Sequence, residues 1–211
     1  MSACKQLLKT NLRFIMNRQK FHKSLNTLSG WRERAFILAL AERALPNASL
    51  YFESIENAAA LPQNVIDKAW HNLIASPNEE GIIALLDRVV AAIKLTEEPE
   101  HYGALPTRDC LQVFEQALLA GINSEKKRAL DASQKSLETI TDFIEFSEGE
   151  DCSENQLIKL FDKHPLVERE FSFQMELSDM LRSEKNPGNE FIRQIRELAQ
   201  DEGVSNIGIS L

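Results

Sequence analysis

The sequence predicts an all-α fold: a single compact multi-helix domain of about eight to ten helices around a buried central helix, with an extended C-terminal tail. Residues 35–41, AFILALA, are apolar for almost two helical turns, which is typical of a helix surrounded by protein on every side. The 211 residues include eight glycines and seven prolines, few for a β-rich chain with many tight turns. Elsewhere, apolar residues recur at helical spacing along most of the chain.

The central helix is predicted over Trp31–Leu45. Pro46 is expected to end it, because proline lacks an amide hydrogen and displaces the residue before it from the helical region. Asn47 would then cap a short helix through Ile55, since its side chain can accept hydrogen bonds from first-turn amides.

Start and stop signals place the helices that follow the central one. Prolines at a first helical position, a Ser153-x-x-Gln156 capping box and glycine or proline breakers mark their ends. The predicted spans are Pro62 to about Ala75, Ser76 to about Leu95, Pro106 to just before Gly121, Ser124–Phe146, Ser153 to about His164, Pro165 to about Ser183 and about Asn189–Asp201.

The spacing of residues also predicts which helix faces are inward. Small serines at positions 133 and 136 interrupt the apolar stripes of Ser124–Phe146 and would let a neighbouring helix approach closely. The helix that begins at Ser76 is predicted to bury Ile82, Ile83, Leu86, Val89, Val90 and Ile93.

The two ends of the chain depart from the helical pattern. Residues 204–211, VSNIGISL, alternate in part as an extended segment would, and we expect them to dock into a groove on their own chain or on a partner. Residues 1–15 are expected to be an N-terminal extension and residues 16–211 the helical domain, because a clearer helical period begins at Met16. Met16 is therefore a candidate second translation start.

Charge is unevenly distributed along this acidic chain, whose formal net charge is −8. Residues 1–43 carry nine Lys and Arg residues against two Glu, so this segment is basic and the remainder strongly acidic. A basic segment of this kind can bind nucleic acid or another anionic surface. The favoured interpretation is a basic helix lying on the acidic body or a solvated tail, which makes a nucleic-acid partner unlikely.

Cysteine usage and hydropathy predict a soluble, cytoplasmic protein. The three cysteines lie far apart in the sequence and form no CxxC, which argues against a disulfide framework. The N-terminus lacks the apolar core of a secretory signal. The longest apolar run is residues 35–41, far below the about 20 residues that span a bilayer. No membrane association is expected.

No motif predicts a catalytic residue, a metal site or a cofactor. The sequence contains no HExxH, GxSxG elbow, Gly-rich phosphate loop or Walker lysine. The Glu98-x-x-His101 pair resembles half of a di-iron motif, but a proline lies inside it and no second copy exists. Asp67 and His71 are spaced to share a helix face, where a hydrogen bond is the commoner outcome. Cys110 is expected to be buried and inert.

Polar residues within apolar helices are the more informative candidates. Glu42, Arg43, Asn47 and Asp109 either line a pocket or serve as caps and ion pairs, because an unpaired buried charge is costly; the second interpretation is favoured. Glu168 and Glu176 are eight residues apart and share a helix face, whereas Glu170 points elsewhere. A solvated ionic face is favoured over a cation site.

Four stretches occur together in an order that resembles a known family: AERALPN (Ala41–Asn47), HYGALPTRDC (His101–Cys110), HPLVEREFSFQMEL (His164–Leu177) and SNIGI (Ser205–Ile209). They resemble the YjaG-like family of bacterial proteins, domain of unknown function 416. The resemblance implies an all-helical, soluble bacterial domain and no particular reaction. The polar residues to test as a pocket are Glu42, Arg43, Asn47, Tyr102, Asp109, Glu168, Glu176 and Asn206.

Three functional hypotheses remain open. The leading one is a non-catalytic protein that acts through contacts with itself or another protein, because apolar helix faces are abundant and no catalytic set is recognisable. The second is an enzyme or small-molecule binder with a pocket between helices, whose ligand the sequence does not identify. The third is a nucleic-acid-associated factor that uses the basic N-terminal segment.

Overall fold

A computed structural model of the protein describes residues 19–57, 63–75, 79–97, 102–123, 125 and 127–210. The predicted N-terminal extension, residues 1–15, and Met16 lie outside these residues. The described ranges are almost entirely helical, as predicted, and no helix in them is long and apolar enough to cross a membrane. The helices are α1 (residues 19–25), α2 (Trp31–Ser54), α3 (Gln63–Ile74), α4 (Glu79–Lys94), α5 (Ala104–Leu119), α6 (Arg128–Glu148), α7 (Glu154–Phe161), α8 (Pro165–Ser183) and α9 (Asn189–Gln200).

Helix α2 runs straight through Pro46, so the predicted end at Leu45 and the predicted cap at Asn47 are both wrong. Proline inside a helix costs about 3 kcal/mol. Tyr51 and Phe52, in the segment beyond it, are buried, and each buried side chain of this size contributes about 1.5–3 kcal/mol. Packing of the last two turns therefore offsets the cost of the proline.

The antiparallel pair α2 and α5 forms the centre of the molecule, with α3, α6, α8 and α9 also packed against α2. Near the start of α2, Arg34 lies beside Gly121, just beyond the end of α5. Helix α5 ends at Leu119 with Ala120 as its C-cap, so Gly121 follows the helix end as predicted, although its φ is not positive. Instead, a Cβ atom there would lie 3.0 Å from Ile82 Cδ1 and 3.2 Å from Arg34 Cζ, so the glycine permits close approach of α2, α4 and α5.

The face of helix α4 that is buried in the core is shifted by about one residue position from the predicted face. Ile82 and Val89 are buried as expected, but Leu85 and Ala92 complete the buried stripe. Ile83 is 43% exposed, contrary to the prediction. Because apolar residues are adjacent in this helix, it could bury either of two faces by rotating about its own axis. Packing against α5 selects one of these faces.

The C-terminal segment, residues 204–210, forms a tight turn on its own chain after a short 3₁₀ turn, Asp201–Gly203. An isolated antiparallel bridge joins Val204 to Ser210, and the Ser205 amide donates to the Ile209 carbonyl at 2.7 Å. Ile207 is buried in a small cluster with residues of α6 and α8. We call residues 204–210 the C-terminal turn.

Candidate functional site

A buried ion pair connects the middle of α2 to α8. The Arg43 Nε donates to Glu170 Oε2 at 2.9 Å, and both side chains are almost fully excluded from solvent. The Arg43 Nη2 also donates to Asp201 Oδ2 at 3.1 Å, and its guanidinium carbon lies 4.4 Å from the centre of the Phe173 ring. Arg43 therefore joins α2, α8 and the 3₁₀ turn through one side chain.

The second oxygen of Glu170 is satisfied by uncharged groups. Its Oε1 accepts hydrogen bonds from Ser136 Oγ at 2.7 Å and from Gln174 Nε2 at 2.8 Å. Gln174 Oε1 in turn accepts from Ser133 Oγ at 2.6 Å. The two serines of α6 thus let the helices approach, as predicted, and also hydrogen-bond the polar groups of α8. Such a buried network is stable only when its members are all paired.

Next to Arg43 on α2, Glu42 forms a separate buried cluster with α9. Its Oε1 accepts from Arg196 Nη2 at 2.7 Å, from Arg196 Nε at 3.0 Å and from Gln200 Nε2 at 2.9 Å. The Arg196 Nη2 also reaches Asp67 Oδ1 of α3 at 2.5 Å. The carboxylate of Glu42 is therefore engaged by side chains of α9 within the same chain.

Asn47 and Asn206 meet where the C-terminal turn contacts α2. The Asn47 Nδ2 donates to Asn206 Oδ1 at 2.9 Å, and both residues are buried. Arg169 of α8 supports the turn by donating to the carbonyl of Ser205. The predicted candidates Glu42, Arg43, Asn47 and Asn206 therefore do lie along one seam, in which α2 contacts the C-terminal part of the chain.

A cleft of about 220 Å³ opens beside this seam, at Pro46. Its polar lining groups come from α2, α3 and α9, and Glu42 lies at its edge. The lining residues are Glu42, Leu45, Pro46, Ser49, Gln63, Gln200 and Gly203. Small-molecule pockets usually measure about 300–1,000 Å³, so the volume of this cleft lies below the usual range.

Tyr102 and Asp109 lie away from the seam, where α5 begins and α6 ends. The Tyr102 ring stacks on Phe146 with centroids 4.2 Å apart and planes 16° apart. Asp109 Oδ2 accepts from Thr139 Oγ1 at 2.9 Å, and its Oδ1 lies 3.9 Å from Lys135 Nζ. These two candidates therefore belong to a different part of the molecule.

Burial and neighbouring carboxylates perturb the titration of this region. Burial, together with the charges of Asp142 and Asp109, raises the pKa of Tyr102 to about 12. Burial also raises the pKa of Asp109, although Thr139 and Lys135 oppose the shift. Burial and the nearby carboxylates of α6 raise the pKa of Asp142. Burial is the largest cause of all three shifts, and neighbouring carboxylates add to each of them.

Glu168 and Glu176 are exposed on α8 and join neither group. Glu170 does face elsewhere, as predicted, but it faces the core and is 1% exposed. A signal was present: buried positions at a spacing of three and four include Val167, Glu170 and Gln174, which places two polar residues within an apolar stripe. No comparable signal distinguishes Arg196 from exposed arginines of α9.

The groups considered for metal or nucleophilic chemistry have ordinary surroundings. No cluster of three or more potential ligands occurs among the residues that the structure describes. Asp67 pairs with Arg196, and with His71 it lines an open groove of about 490 Å³ between α3 and α4. The pair Glu98-x-x-His101 lies outside the described residues. Burial raises the pKa of Cys110 to about 12, and its thiol donates to the Ala41 carbonyl.

Several exposed apolar side chains lie at one end of the molecule. Here α2, α4 and α6 end and α5 begins, as two contacts demonstrate: Tyr51 Oη donates to the Leu95 carbonyl at 2.9 Å, and Tyr102 stacks on Phe146. Of eight large exposed apolar side chains in the described ranges, five are at these helix ends. This apolar end comprises Leu50, Ile55, Leu95, Leu105 and Phe146.

The chain is similar to proteins from several bacteria. An uncharacterized protein of Haemophilus influenzae is 28% identical over 195 residues, covering 91% of this chain and 97% of that protein. The uncharacterized protein YjaG of Escherichia coli is 23% identical over 196 residues, covering 92% of this chain and 98% of that protein. The crystal structure of a DUF416 family protein from Shewanella baltica matches with a TM-score of 0.78 at 27% identity, over 90% of this chain and 98% of that one.

The extent of these matches decides the family. The sequence profile of the family described as "Protein of unknown function (DUF416)" matches residues 20–210, nearly all of the chain. The predicted resemblance to YjaG-like proteins is thereby confirmed. This protein belongs to the DUF416 family.

Proposed function

We propose that this protein is a non-catalytic bacterial protein that acts by binding another protein through its apolar end. The observation that carries the proposal is the grouping of five exposed apolar side chains at the helix ends, with Phe146 64% exposed. Single exposed apolar residues are ordinary on a protein surface, whereas grouped ones are typical of interaction sites.

The state of the buried charges supports a structural rather than a catalytic interpretation of the seam. Glu42, Arg43 and Glu170 are each engaged by partners within the chain at 2.7–3.1 Å. A general base or nucleophile must have a lone pair that reaches the substrate. Side chains that are hydrogen-bonded within the chain in this way hold the helices in position rather than contact a substrate.

A second copy of this chain is the less favoured partner for the apolar end. Most exposed charged residues near the same helix ends are acidic, so a symmetric contact would bring like charges together. The exposed charged residues near these helix ends are Glu53, Glu56, Lys94, Glu97, Glu145 and Glu148. We therefore favour a different protein over self-association.

The proposal can be tested by site-specific photo-crosslinking in the native host. A photoreactive residue at position 105 of the full chain should yield a discrete crosslinked product. The same residue at position 83, an exposed isoleucine at the opposite end of α4, serves as the matched control. Purified product protein should then bind the chain directly, and Leu95→Ser should weaken that binding without lowering the melting temperature. Equal crosslinking at 105 and 83 would refute the proposal.

The second candidate function is small-molecule binding in the cleft at Pro46. The observation in its favour is the convergence of Ser49, Gln63 and Gln200 beside Glu42. Native mass spectrometry on protein purified without added ligand tests it. A constant added mass that disappears in a Ser49→Leu variant would support this function, whereas the bare chain mass in every preparation would count against it.

Nucleic-acid binding and a cytoplasmic location are proposals that rest on the sequence. Most of the basic segment lies outside the described residues, but Lys20 and Lys23 are exposed on α1. Binding that falls steeply with salt and is lost when both lysines are neutralised would support a nucleic-acid partner. The free thiols of Cys110 and Cys152 fit the proposed reducing cytoplasm.

A further inference from the structure

We propose that the partner segment bound at the apolar end is basic and amphipathic, with Lys or Arg side chains on either side of an apolar strip. This inference rests on the proposed function and adds to it the chemistry of the partner. Three features of the described residues support a basic partner: the aromatic stack, the acidic rim and the direction of the helices.

The aromatic stack supplies the apolar and cation-binding part of the surface. Tyr102 supports Phe146 from one side, and Phe146 still exposes 64% of its surface. Aromatic rings attract Lys and Arg groups that lie within about 6 Å of the ring centroid. Leu105, in the first turn of α5, is 41% exposed and extends the apolar area beside Tyr102.

The rim around the stack carries an excess of negative charge. Asp142 lies close enough to Tyr102 to influence its ionisation, and Glu138 and Glu145 act on Asp142 in the same way. Lys135 offsets part of this charge by pairing with Glu138 at 3.0 Å. The remaining carboxylates repel one another, and a cationic partner would relieve that repulsion.

The direction of the helices adds to the negative electrostatic potential at the apolar end. Three helices, α2, α4 and α6, direct their C-terminal ends, which carry a partial negative charge, toward the apolar end, against the N-terminal end of α5, which carries a partial positive one. Lys94 lies in the last turn of α4, but neither α2 nor α6 has a basic residue in its last turn. A partner segment with Lys or Arg would supply the missing cations, whereas an acidic or neutral apolar partner would leave them uncompensated.

The test uses the full chain and a fluorescein-labelled helical peptide of leucine and lysine as the probe. Fluorescence anisotropy should detect binding that weakens steeply with salt. Glu97→Lys with Glu145→Lys should weaken binding at least tenfold. The matched control, Glu168→Lys with Glu176→Lys on the exposed face of α8, makes the same change in net charge and should weaken it less than threefold. Phe146→Ser or Leu105→Ser should also reduce affinity about tenfold at unchanged melting temperature.

Three results would overturn this inference. Equal losses in the two double variants would mean that the peptide binds by net charge alone. Absence of peptide binding, with crosslinking from position 105 retained, would leave the proposed function standing and reject a basic partner. A concentration-dependent dimer in sedimentation velocity that Leu105→Ser abolishes would assign the surface to a second copy of the chain.

Discussion

Replacing Arg43 with methionine tests whether the buried seam holds the fold together. The substitution keeps a long apolar side chain but removes the donors to Glu170 at 2.9 Å and to Asp201 at 3.1 Å. Glu170 is then left 1% exposed with an uncompensated charge and only the uncharged donors Ser136 and Gln174. Breaking one partner of a buried pair costs about 3–5 kcal/mol.

Urea unfolding followed by circular dichroism measures this loss of unfolding free energy. The melting temperature of the variant should be lower by roughly 6–20 °C for a domain of this size. The double variant Arg43→Met with Glu170→Gln removes both charges while leaving an oxygen that can accept from Ser136. It should be more stable than the single variant by about 1–3 kcal/mol. Arg193→Met, on the exposed face of α9, is the control and should leave the unfolding midpoint unchanged.

Two results would refute the reasoning. A loss below about 1 kcal/mol for Arg43→Met would mean that water or rearrangement satisfies Glu170. A double variant as unstable as the single one, at an unchanged denaturant slope, would mean that packing of the Arg43 side chain rather than its charge is what matters.

Three further predictions follow from other parts of the structure. In native protein, iodoacetamide should modify Cys152 much faster than Cys110, whose thiol pKa is raised to about 12 by burial; peptide mapping that found equal rates would contradict the packing of α5 on α2. Asn206→Ala should cost about 1–3 kcal/mol, because it leaves the buried Asn47 amide without its acceptor, and should accelerate hydrogen exchange in the C-terminal turn. Asp109→Asn should raise the melting temperature at pH 7: the raised pKa means that the folded state binds the proton more readily, so ionisation of this group destabilises the fold at neutral pH. That advantage should shrink as the pH falls toward the ordinary value of 3.8, and a constant difference across this range would refute it.

Local signals in the sequence were sufficient to place several helix ends. Helix α8 begins at Pro165 and ends at Ser183 as predicted, and the capping box of Ser153 and Gln156 is present at the start of α7. These boundaries depend on neighbouring residues only, through a missing amide hydrogen or a reciprocal side-chain bond. Pro46 is different, because its effect on α2 depends on burial of Tyr51 and Phe52 by distant helices.

The grouping of candidate residues could be predicted only in part, for a related reason. Charges and amides in apolar stretches require partners, which distinguishes Glu42, Arg43 and Asn47, whereas Asn206 is a candidate because it lies in a stretch that resembles the family. All four contribute to the seam. Which residues supply those partners depends on helix packing. Spacing and the neighbouring Lys163 and Arg169 predict that Glu168 and Glu176 share a solvated face of α8, and both are exposed. Spacing alone does not predict that Glu170, on another face, is buried.

The seam also has a consequence for the order in which the protein can fold during synthesis. The partners of α2 are far away in sequence: 127 residues from Arg43 to Glu170, 154 from Glu42 to Arg196 and 159 from Asn47 to Asn206. At roughly 5–20 residues per second, a ribosome needs about 8–30 seconds to cover such a distance. Most residues of α2 are buried in the folded protein. During synthesis its charged and amide side chains therefore stay unpaired until the segments that hold Glu170, Arg196 and Asn206 have been made.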